Sequence, residues 1–512
     1  MARSRRLPPQ RIVADWSRGV VTDAASTALP PGALVDADDF LIHKAGVLYK
    51  RGGTSYFGTA LTGAGGTPAN CRAVCFAEFK AASSVVAVGD TGYLYRVSSG
   101  GVVEVANLTT AFLTRDTLKL HPTDKLIIVA NDGTTIPKKI TWDGATMAVA
   151  DLGGTPPAGR YSAIYKSRLV LASTEANANR IFFSPVPDIE TTWDIANSWI
   201  DADHQVTALA ATSNMLIVFS DGFMERIIGS IPPPGSDMDR ATIANIGCTD
   251  ARSIAIQGNT VIFANQRGVY ITNGGAPTSL TSDGLFEQGW QDALAGYDRA
   301  TWVITGGIIR NHYIVTIMDG NTSPATLKGV FACYLPRRAW FPITNIKANM
   351  WSPAIGQQEE LYYADRATNR VNRISGFFSP SSSNRADADG TNVAPSATFR
   401  MIGDGPTLKH FGFGRLTYNM PGPSGDPPQL AVKFDPGIES PVFTTSAPES
   451  PLQKTAASGT DEVERHRFTV ARVAQVMNVR VEQTGEADKT EIFALEAEVR
   501  PLNEQSEGQG TA

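Results

Sequence analysis

Histidine and cysteine are the side chains that most often ligate metals or act as nucleophiles, and in this sequence both are scattered. No two histidines have the i, i+4 spacing of a metal-binding helix, and the chain contains no H-E-x-x-H, no phosphate loop ending in Lys-Ser or Lys-Thr, and no G-x-S-x-G. The histidines are His43, His121, His204, His312, His410 and His466. The cysteines are Cys71, Cys75, Cys248 and Cys333. We therefore predict surface or hydrogen-bonded core histidines, buried free thiols and no zinc site.

Carboxylates form three short clusters that are a second possible source of chemistry. The clusters are Asp36, Asp38 and Asp39; Asp201 and Asp203; and Asp387 and Asp389. Alternating Asp oxygens can bind Ca²⁺, but none of the three loops ends in the bidentate acid that completes such a site. Two carboxylates from distant segments can also face one glycosidic bond, and spacing does not exclude this. We interpret the clusters as solvated turn residues and predict no catalytic, cofactor or metal residue.

Composition excludes several classes of protein. The chain has 512 residues, with 45 Lys+Arg against 50 Asp+Glu, a formal net charge of −5 and a pI of about 5.8. That balance is unlike a protein held on DNA by a basic surface. No apolar run reaches the roughly 18 residues of a membrane span, and the basic N-terminus lacks the apolar core of a signal peptide. We therefore expect a soluble protein made in a reducing cytosol.

A repeat of short apolar hairpins organises most of the chain. Two β-rich runs joined by a Gly-, Asn- or Asp-containing turn recur seven times, and the first runs begin at residues 85, 126, 169, 216, 261, 313 and 361. A period of about 40–50 residues is typical of propeller blades, which bury both faces by packing around an axis. We predict an all-β fold with a β-propeller of about seven blades over residues 45–378. The run at 46–50 is expected to close the ring by adding a strand to the last blade.

The composition changes after the seventh hairpin. A Ser-, Asp- and Gly-rich stretch predicts a linker over residues 379–394. Short runs that alternate apolar and polar residues follow it, at 397–400, 413–418, 430–434, 467–470, 476–481 and 492–499. They predict a C-terminal β-sandwich over residues 395–502. We expect residues 1–44 to form an N-terminal arm and residues 503–512 a disordered tail.

Several stretches carry a family resemblance. They are the Pro-Pro-Gly and acidic run at 29–40, Lys-Arg-Gly-Gly at 50–53, and residues 180–184, 246–254 and 493–502. In this order they resemble bacteriophage tail proteins of the nozzle or hub kind, which lie below the portal and adaptor of short-tailed phages. Together with Trp16-Ser17-Arg18-Gly19-Val20 before them and the hairpins between them, these stretches cover residues 11–502 unevenly.

The resemblance implies a structural role in the tail of a virion. It implies a ring of copies, often six, around a channel through which the genome is retained and then ejected, with no enzymatic activity and no cofactor. The implied partners are other copies of the chain, the portal or adaptor, other tail proteins, tail fibres, and DNA that passes without sequence-specific binding. The implied location is the virion tail, after synthesis in the host cytoplasm. A net negative charge suits a conduit that must not grip DNA.

Three alternatives remain open at this stage. The chain is a glycan-binding or glycan-cleaving tail component, a minor tail protein of a long-tailed phage, or a propeller scaffold that is not viral. The sialidase-type repeat S-x-D-x-G-x-T-W is absent from all seven hairpins.

One loop is predicted to make a contact between subunits or with the channel. Pro232, Pro233 and Pro234 precede Asp237 between two predicted strands. Three consecutive prolines favour a stiff, extended segment that can project at low entropic cost. The alternative is a rigid surface loop without a partner.

Overall fold

The structure of the chain is a computed structural model. It describes residues 10–13, 16–24, 28–44, 46–63, 69–80, 82–90, 92–108, 117–121, 124–186, 188–230, 238–320, 326–353, 360–365, 368–375, 386–402, 409–420, 429–435, 452–453, 464–474, 476–484 and 490–501. Almost all regular structure in these ranges is β-strand, and the α-helices are α1 (Leu280–Asp283) and α2 (Glu287–Ala293).

Seven four-stranded antiparallel units, the blades, follow one another along the described chain. Six of them are separate sheets, and the sixth blade is part of a ten-stranded sheet. Blades one to three consist of β7–β10 (Cys71–Glu78, Ser83–Gly89, Tyr93–Ser98, Gly101–Asn107), β11–β14 (Thr117–His121, Lys125–Val129, Lys138–Trp142, Met147–Asp151) and β15–β18 (Tyr161–Tyr165, Arg168–Ala172, Arg180–Phe183, Trp199–Asp201). Blades four and five consist of β19–β22 (Ala208–Ala211, Leu216–Phe219, Met224–Ile228, Asp239–Ala244) and β23–β26 (Ala255–Gln257, Thr260–Asn265, Gly268–Thr272, Thr278–Ser279). Blades six and seven contain β27–β30 (Trp302–Ile309, His312–Asp319, Thr326–Tyr334, Ala339–Pro342) and β31–β33 (Ala348–Pro353, Glu360–Asp365, Val371–Ser375).

The sheets form a closed ring, which confirms the predicted propeller. First strands lie against each other from blade one to blade four and from blade five to blade seven, and β31 of blade seven lies against β7 of blade one. Blades four and five share a core that includes Phe219 and Phe263. Each of the seven predicted hairpins forms the second and third strands of one blade. The second strand of each blade is buried along almost its whole length, because a neighbouring blade covers each face.

Apolar side chains fill the seams between blades. Leu126 and Ile128 of blade two pack against blade one, while Ile127 and Val129 of the same strand pack against blade three. The alternation follows from the two-residue period of a strand, which points successive side chains to opposite faces. Tyr362 of blade seven packs against blade one and so continues the pattern across the point of closure.

The last blade is closed by the N-terminal part of the chain, but not by the predicted run. Its fourth strand is β6 (Ser55–Phe57), which pairs with β33 so that Phe57 lies opposite Val371. The predicted run at 46–50 instead forms β5 (Val47–Lys50) and pairs with strands outside the propeller. An N-terminal strand does close the ring, as predicted, but it is formed by Ser55–Phe57 and not by residues 46–50.

Two sheets packed face to face form the C-terminal sandwich. Its strands are β34–β40 (Ser396–Ile402, Lys409–Asn419, Gln429–Asp435, Leu452–Gln453, Glu464–Ala474, Val476–Thr484, Glu491–Pro501) together with β1–β5 (Gln10–Val13, Gly19–Val20, Ala33–Asp38, Phe40–Lys44, Val47–Lys50). One sheet has the order β38-β35-β40-β5-β4, with β1 also on β40, and the other has the order β2-β3-β34-β39-β36-β37. Leu416 and Leu495 of the first sheet share a core with Phe399 and Val481 of the second. The N-terminal arm predicted over 1–44 is therefore not separate in its described part, because its strands complete this domain.

The sandwich and the propeller share a sheet. Strand β2 pairs in parallel with β3 of the sandwich and with β30, the outermost strand of blade six. The parallel pairing brings the backbone of Gly19 (φ +68°) so close to Trp340 that a Cβ would lie 2.5 Å from its carbonyl oxygen. A larger residue does not fit at this position, so the direct connection between the domains depends on a glycine.

Candidate functional site

A fully buried arginine lies where the N-terminal segment meets the segment before the sandwich. Arg51 donates from Nε to Asp39 Oδ1 at 2.6 Å, and from Nη1 and Nη2 to the two carboxylate oxygens of Asp387 at 2.8 Å each. The Arg51 side chain is 0% exposed and each carboxylate 3%. Burial alone would lower the pKa of Arg51, but Asp39 and Asp387 outweigh it, so the pKa is raised and the guanidinium stays charged.

Neighbouring segments satisfy the remaining atoms of this cluster. Thr344, between blades six and seven, donates its amide N–H and its hydroxyl to the two Asp39 oxygens at 2.9 and 2.6 Å. The amide of Thr54 donates to Asp387 at 3.0 Å, and Asn345 donates to Asp389 at 2.9 Å. At Gly53, a Cβ would lie 1.8 Å from the carbonyl oxygen of Ala386. We call Arg51, Asp39 and Asp387 with Thr344 the junction.

The junction corrects the interpretation of two acidic clusters. Asp39 and Asp387 were expected to be solvated turn residues, but they are buried because Arg51 neutralises them. Burial together with Asp36 and Asp39 raises the pKa of the nearby Asp38 carboxyl to about 6. The third cluster lies nearer the surface, where Asp201 pairs with Arg180 and Asp203 with Arg240. Among the described residues, no group of three or more His, Cys, Asp or Glu side chains could hold a metal ion.

One face of the propeller gathers polar side chains from several blades. In each blade the strands alternate in direction, so the start of the first strand and the turn between the second and third lie on the same face. At the axis of this face, side chains from blades two to six line a small pocket. They belong to Asn131, Tyr161, Thr207, Thr249, Asp250, Ala251, Arg252 and Arg299. We call this region the axial mouth.

Hydrogen bonds between blades that are not neighbours cross the axial mouth. Arg252, at the start of blade five, binds Asp250 through two nitrogens at 3.0 and 2.8 Å and donates to Asn349 of blade seven at 3.2 Å. Arg299, at the start of blade six, binds Asp221 of blade four. Each bond skips one blade, so single side chains bridge the opening.

Backbone also narrows the axial mouth. The 3-10 turn at Ala251–Ser253 lies against β27 and β31, the first strands of blades six and seven. The Tyr313 hydroxyl donates to the Ser253 carbonyl oxygen at 2.7 Å, and a Cβ on Gly306 would lie 2.7 Å from the same oxygen. A DNA duplex, whose major groove alone is about 12 Å wide, is too large for an opening bridged by single side chains.

The loop predicted to make a subunit or channel contact lies outside the described residues. Pro232, Pro233, Pro234 and Asp237 all belong to the interval 231–237. The flanking strands are β21, which ends at Ile228, and β22, which begins at Asp239. The ends of this loop therefore lie on the face opposite the axial mouth, at the outer edge of blade four.

The cysteines are where the sequence predicted them. All four are free and buried, and burial raises the pKa of the Cys248 thiol to about 12. Among the histidines, the buried His312 bonds the carbonyl oxygen of Ile42 through Nε2 at 2.9 Å, and the His204 ring stacks on Phe223. These contacts give both rings a structural role.

Sequence reasoning missed Arg51 and Arg252. Arg51 is in the Lys-Arg-Gly-Gly stretch, where the two following glycines signal a close backbone approach. Arg252 follows Asp250 by two residues at the start of a blade, and no periodicity marks the pair.

Comparison with known proteins identifies no family for this chain. No family model matches, and no curated protein is significantly similar. Among solved structures, BamB from Moraxella catarrhalis is similar with a TM-score of 0.30 and 13% sequence identity, over 72% of this chain and 97% of that chain. A TM-score of 0.30 is too low to support any conclusion about function. In the described part of the chain, no helix has the length and apolar character needed to cross a membrane.

Proposed function

We propose that the chain is a structural component of a bacteriophage tail, a nozzle- or hub-type protein that forms a ring around the DNA channel below the portal or adaptor. In this role it retains the genome before ejection and has no catalytic activity. The proposal starts from the resemblance of residues 11–502 to such proteins.

The structural observation that best supports the proposal is the direct connection between the propeller and the sandwich. A subunit that encircles a packaged genome has to keep its shape, and domain interfaces within a chain are usually small and mobile. Here β2 extends a blade into the sandwich sheet, and the buried Arg51 ties both domains to the N-terminal segment. A propeller and a sandwich joined in this way are suited to a structural protein whose two domains do not move relative to each other.

The axial mouth determines how DNA would pass such a ring. Side chains bridge the propeller axis, so the duplex would run between copies of the chain and not through any single propeller. The acidic net charge agrees with a channel wall that does not hold DNA.

Electron microscopy of labelled particles tests the proposal. Antibody against the purified chain, coupled to gold, is applied to particles produced from the genome that carries this gene. We expect label on the tail axis next to the portal vertex. Label on fibre tips or along a long tail, or particles without label, would overturn the assignment; particles disrupted to expose internal proteins serve as the control for access.

A further inference from the structure

The carboxyl group of Asp38 lies among charged groups that are paired elsewhere. Asp38 is the last residue of β3 and belongs to a run of three acids, with Asp36 two residues before it and Asp39 directly after it. Although its side chain is partly buried, it makes no hydrogen bond and no ion pair with the residues that the structure describes. The charge of Arg51 is neutralised by Asp39 and Asp387 at the junction.

The other cation near Asp38 is Arg480 of β39, and its nitrogens are also engaged. Its Nε lies 2.6 Å from a Glu482 oxygen, and its Nη1 lies 3.8 Å from Asp36. Its Nη2 donates to the Ser396 hydroxyl at 3.1 Å, and Ser396 is the residue opposite Asp38 in the pairing of β3 with β34. Strands β2 and β30, which also pack on β3, contain no ionisable residue. Arg480 therefore acts on Asp38 only through space.

Asp38 lies where the propeller and the sandwich are connected. The next residue, Asp39, donates its amide N–H to the carbonyl oxygen of Pro342 in blade six at 3.2 Å. Ionisation of Asp38 places a third negative charge at this point, beside Asp36 and Asp39. Partial burial and these two like charges oppose the ionisation more strongly than Arg480 favours it, and the pKa of Asp38 is raised to about 6.

We propose that Asp38 makes the connection between the propeller and the sandwich sensitive to pH. In mild acid the carboxyl is neutral, and β3 stays packed between β34 and blade six without repulsion among the three acids. At neutral pH and above, the ionised carboxylate is repelled by Asp36 and Asp39, and β3 separates more readily from blade six. The proposal is independent of the role in a tail ring, because it concerns a connection within one chain.

The direction of the effect follows from proton binding. The folded connection holds the Asp38 proton more tightly than an opened one does, because the pKa is 3.8 without these neighbours and about 6 with them. The stabilising contribution of the neutral carboxyl is therefore complete below pH 3.8 and is lost as the pH rises through 6. Between pH 5 and pH 7.5, the equilibrium constant for local opening of β3 should rise about tenfold.

Hydrogen–deuterium exchange of the full-length chain at pH 5 and pH 7.5 tests the proposal. Rates are corrected for the intrinsic pH dependence of amide exchange, and peptides that contain β3 and the Asp39 amide are followed. We expect their protection to fall about tenfold from pH 5 to pH 7.5. Protection of β16 in blade three is the internal control and should not change. Equal protection of β3 at the two pH values would overturn the proposal.

Two variants separate Asp38 from other titrating groups. Asp38→Asn keeps the shape of the neutral carboxyl, and we expect β3 to be equally protected at pH 5 and pH 7.5 in this variant. Asp36→Asn removes one of the two repelling charges, so the loss of protection should persist but with its midpoint at a lower pH. A tenfold fall that remains in Asp38→Asn, or a midpoint that Asp36→Asn leaves unchanged, would contradict the proposal. Circular dichroism of each variant verifies that the fold is retained.

Discussion

Two clusters of ion pairs join distant parts of this chain, and they differ in how much water reaches them. At the junction, Arg51 is 0% exposed and its two carboxylate partners 3% each. At the axial mouth, the Arg299 and Asp221 side chains are 43% and 63% exposed. Buried charges that lose a partner are costly, whereas exposed pairs contribute little because water and salt screen them. The same chemistry therefore fixes the domains in one place and leaves groups accessible in the other.

The largest effect is expected at the junction. Arg51→Ala leaves Asp39 and Asp387 buried without their cation, and we expect it to lower the free energy of unfolding by about 3–5 kcal/mol. Chemical denaturation followed by tryptophan fluorescence measures this. Arg267→Ala, which removes an exposed arginine of blade five, is the control. A loss below about 1 kcal/mol for Arg51→Ala would mean that the two carboxylates find other partners or water.

An intermediate effect is expected at the inner part of the axial mouth. The Arg252 and Asp250 side chains are 10% and 14% exposed, between the two extremes. Arg252→Ala should cost about 2 kcal/mol, because Asp250 keeps the backbone donors of residue 252 and Ile304. Thermal unfolding of Arg252→Ala and Arg51→Ala, measured side by side, compares the two losses of stability. An equal loss of free energy of unfolding in both variants would show that solvent exposure is not what distinguishes the two clusters.

A smaller, pH-dependent effect is expected between blades two and three, where Glu190 binds Lys125 and Lys139. Partial burial raises the pKa of Glu190, but the two lysines outweigh it and lower the pKa from 4.5 to about 2. A lowered pKa stabilises the fold above pH 4.5, and that contribution disappears as the pH falls towards 2. Glu190→Gln should therefore cost about 1 kcal/mol at pH 7 and almost nothing at pH 2.

Denaturation of wild type and Glu190→Gln across this pH range gives the difference directly. Asp151→Asn, which removes a carboxylate that is 69% exposed, is the matched control and should show little pH-dependent difference. A Glu190→Gln difference that stays constant from pH 7 to pH 2 would contradict the stated pKa.

The smallest effect is expected for the exposed pair that bridges blades four and six. Arg299→Ala should change the free energy of unfolding by less than about 1 kcal/mol, and high salt should reduce the difference further. Denaturation at low and high ionic strength measures it. If Arg299→Ala lowered the free energy of unfolding by more than about 2 kcal/mol, this exposed pair would stabilise the fold as strongly as the buried junction does, and the two clusters would not differ.

The blades could be predicted from the sequence because their middle strands are apolar and pair with strands that are close in the chain. Each pairs with its neighbour across a short turn, and both of its faces are covered, so runs such as Leu216–Phe219 have no polar alternation. The outer strands carry a weaker signal, since β10 (Gly101–Asn107) and β22 (Asp239–Ala244) contain no fully buried residue. All six strands predicted after the linker coincide with strands of the sandwich.

The contacts made by the N-terminal segment could not be predicted from the sequence. Arg51 and Asp387 are 336 residues apart, so no spacing rule connects them. The closing strand was misassigned because Val47–Lys50 is more apolar than Ser55–Phe57, although only the latter reaches blade seven. Side chains of the axial mouth come from five blades, and only the closed ring brings them together.

A cryo-electron microscopy reconstruction of the assembled particle tests the central claim most directly. We expect copies of this chain in a ring next to the portal vertex, each with its sandwich fixed on blade six, and duplex density between the copies. A ring without this chain, or duplex density along the axis of a single propeller, would contradict the account.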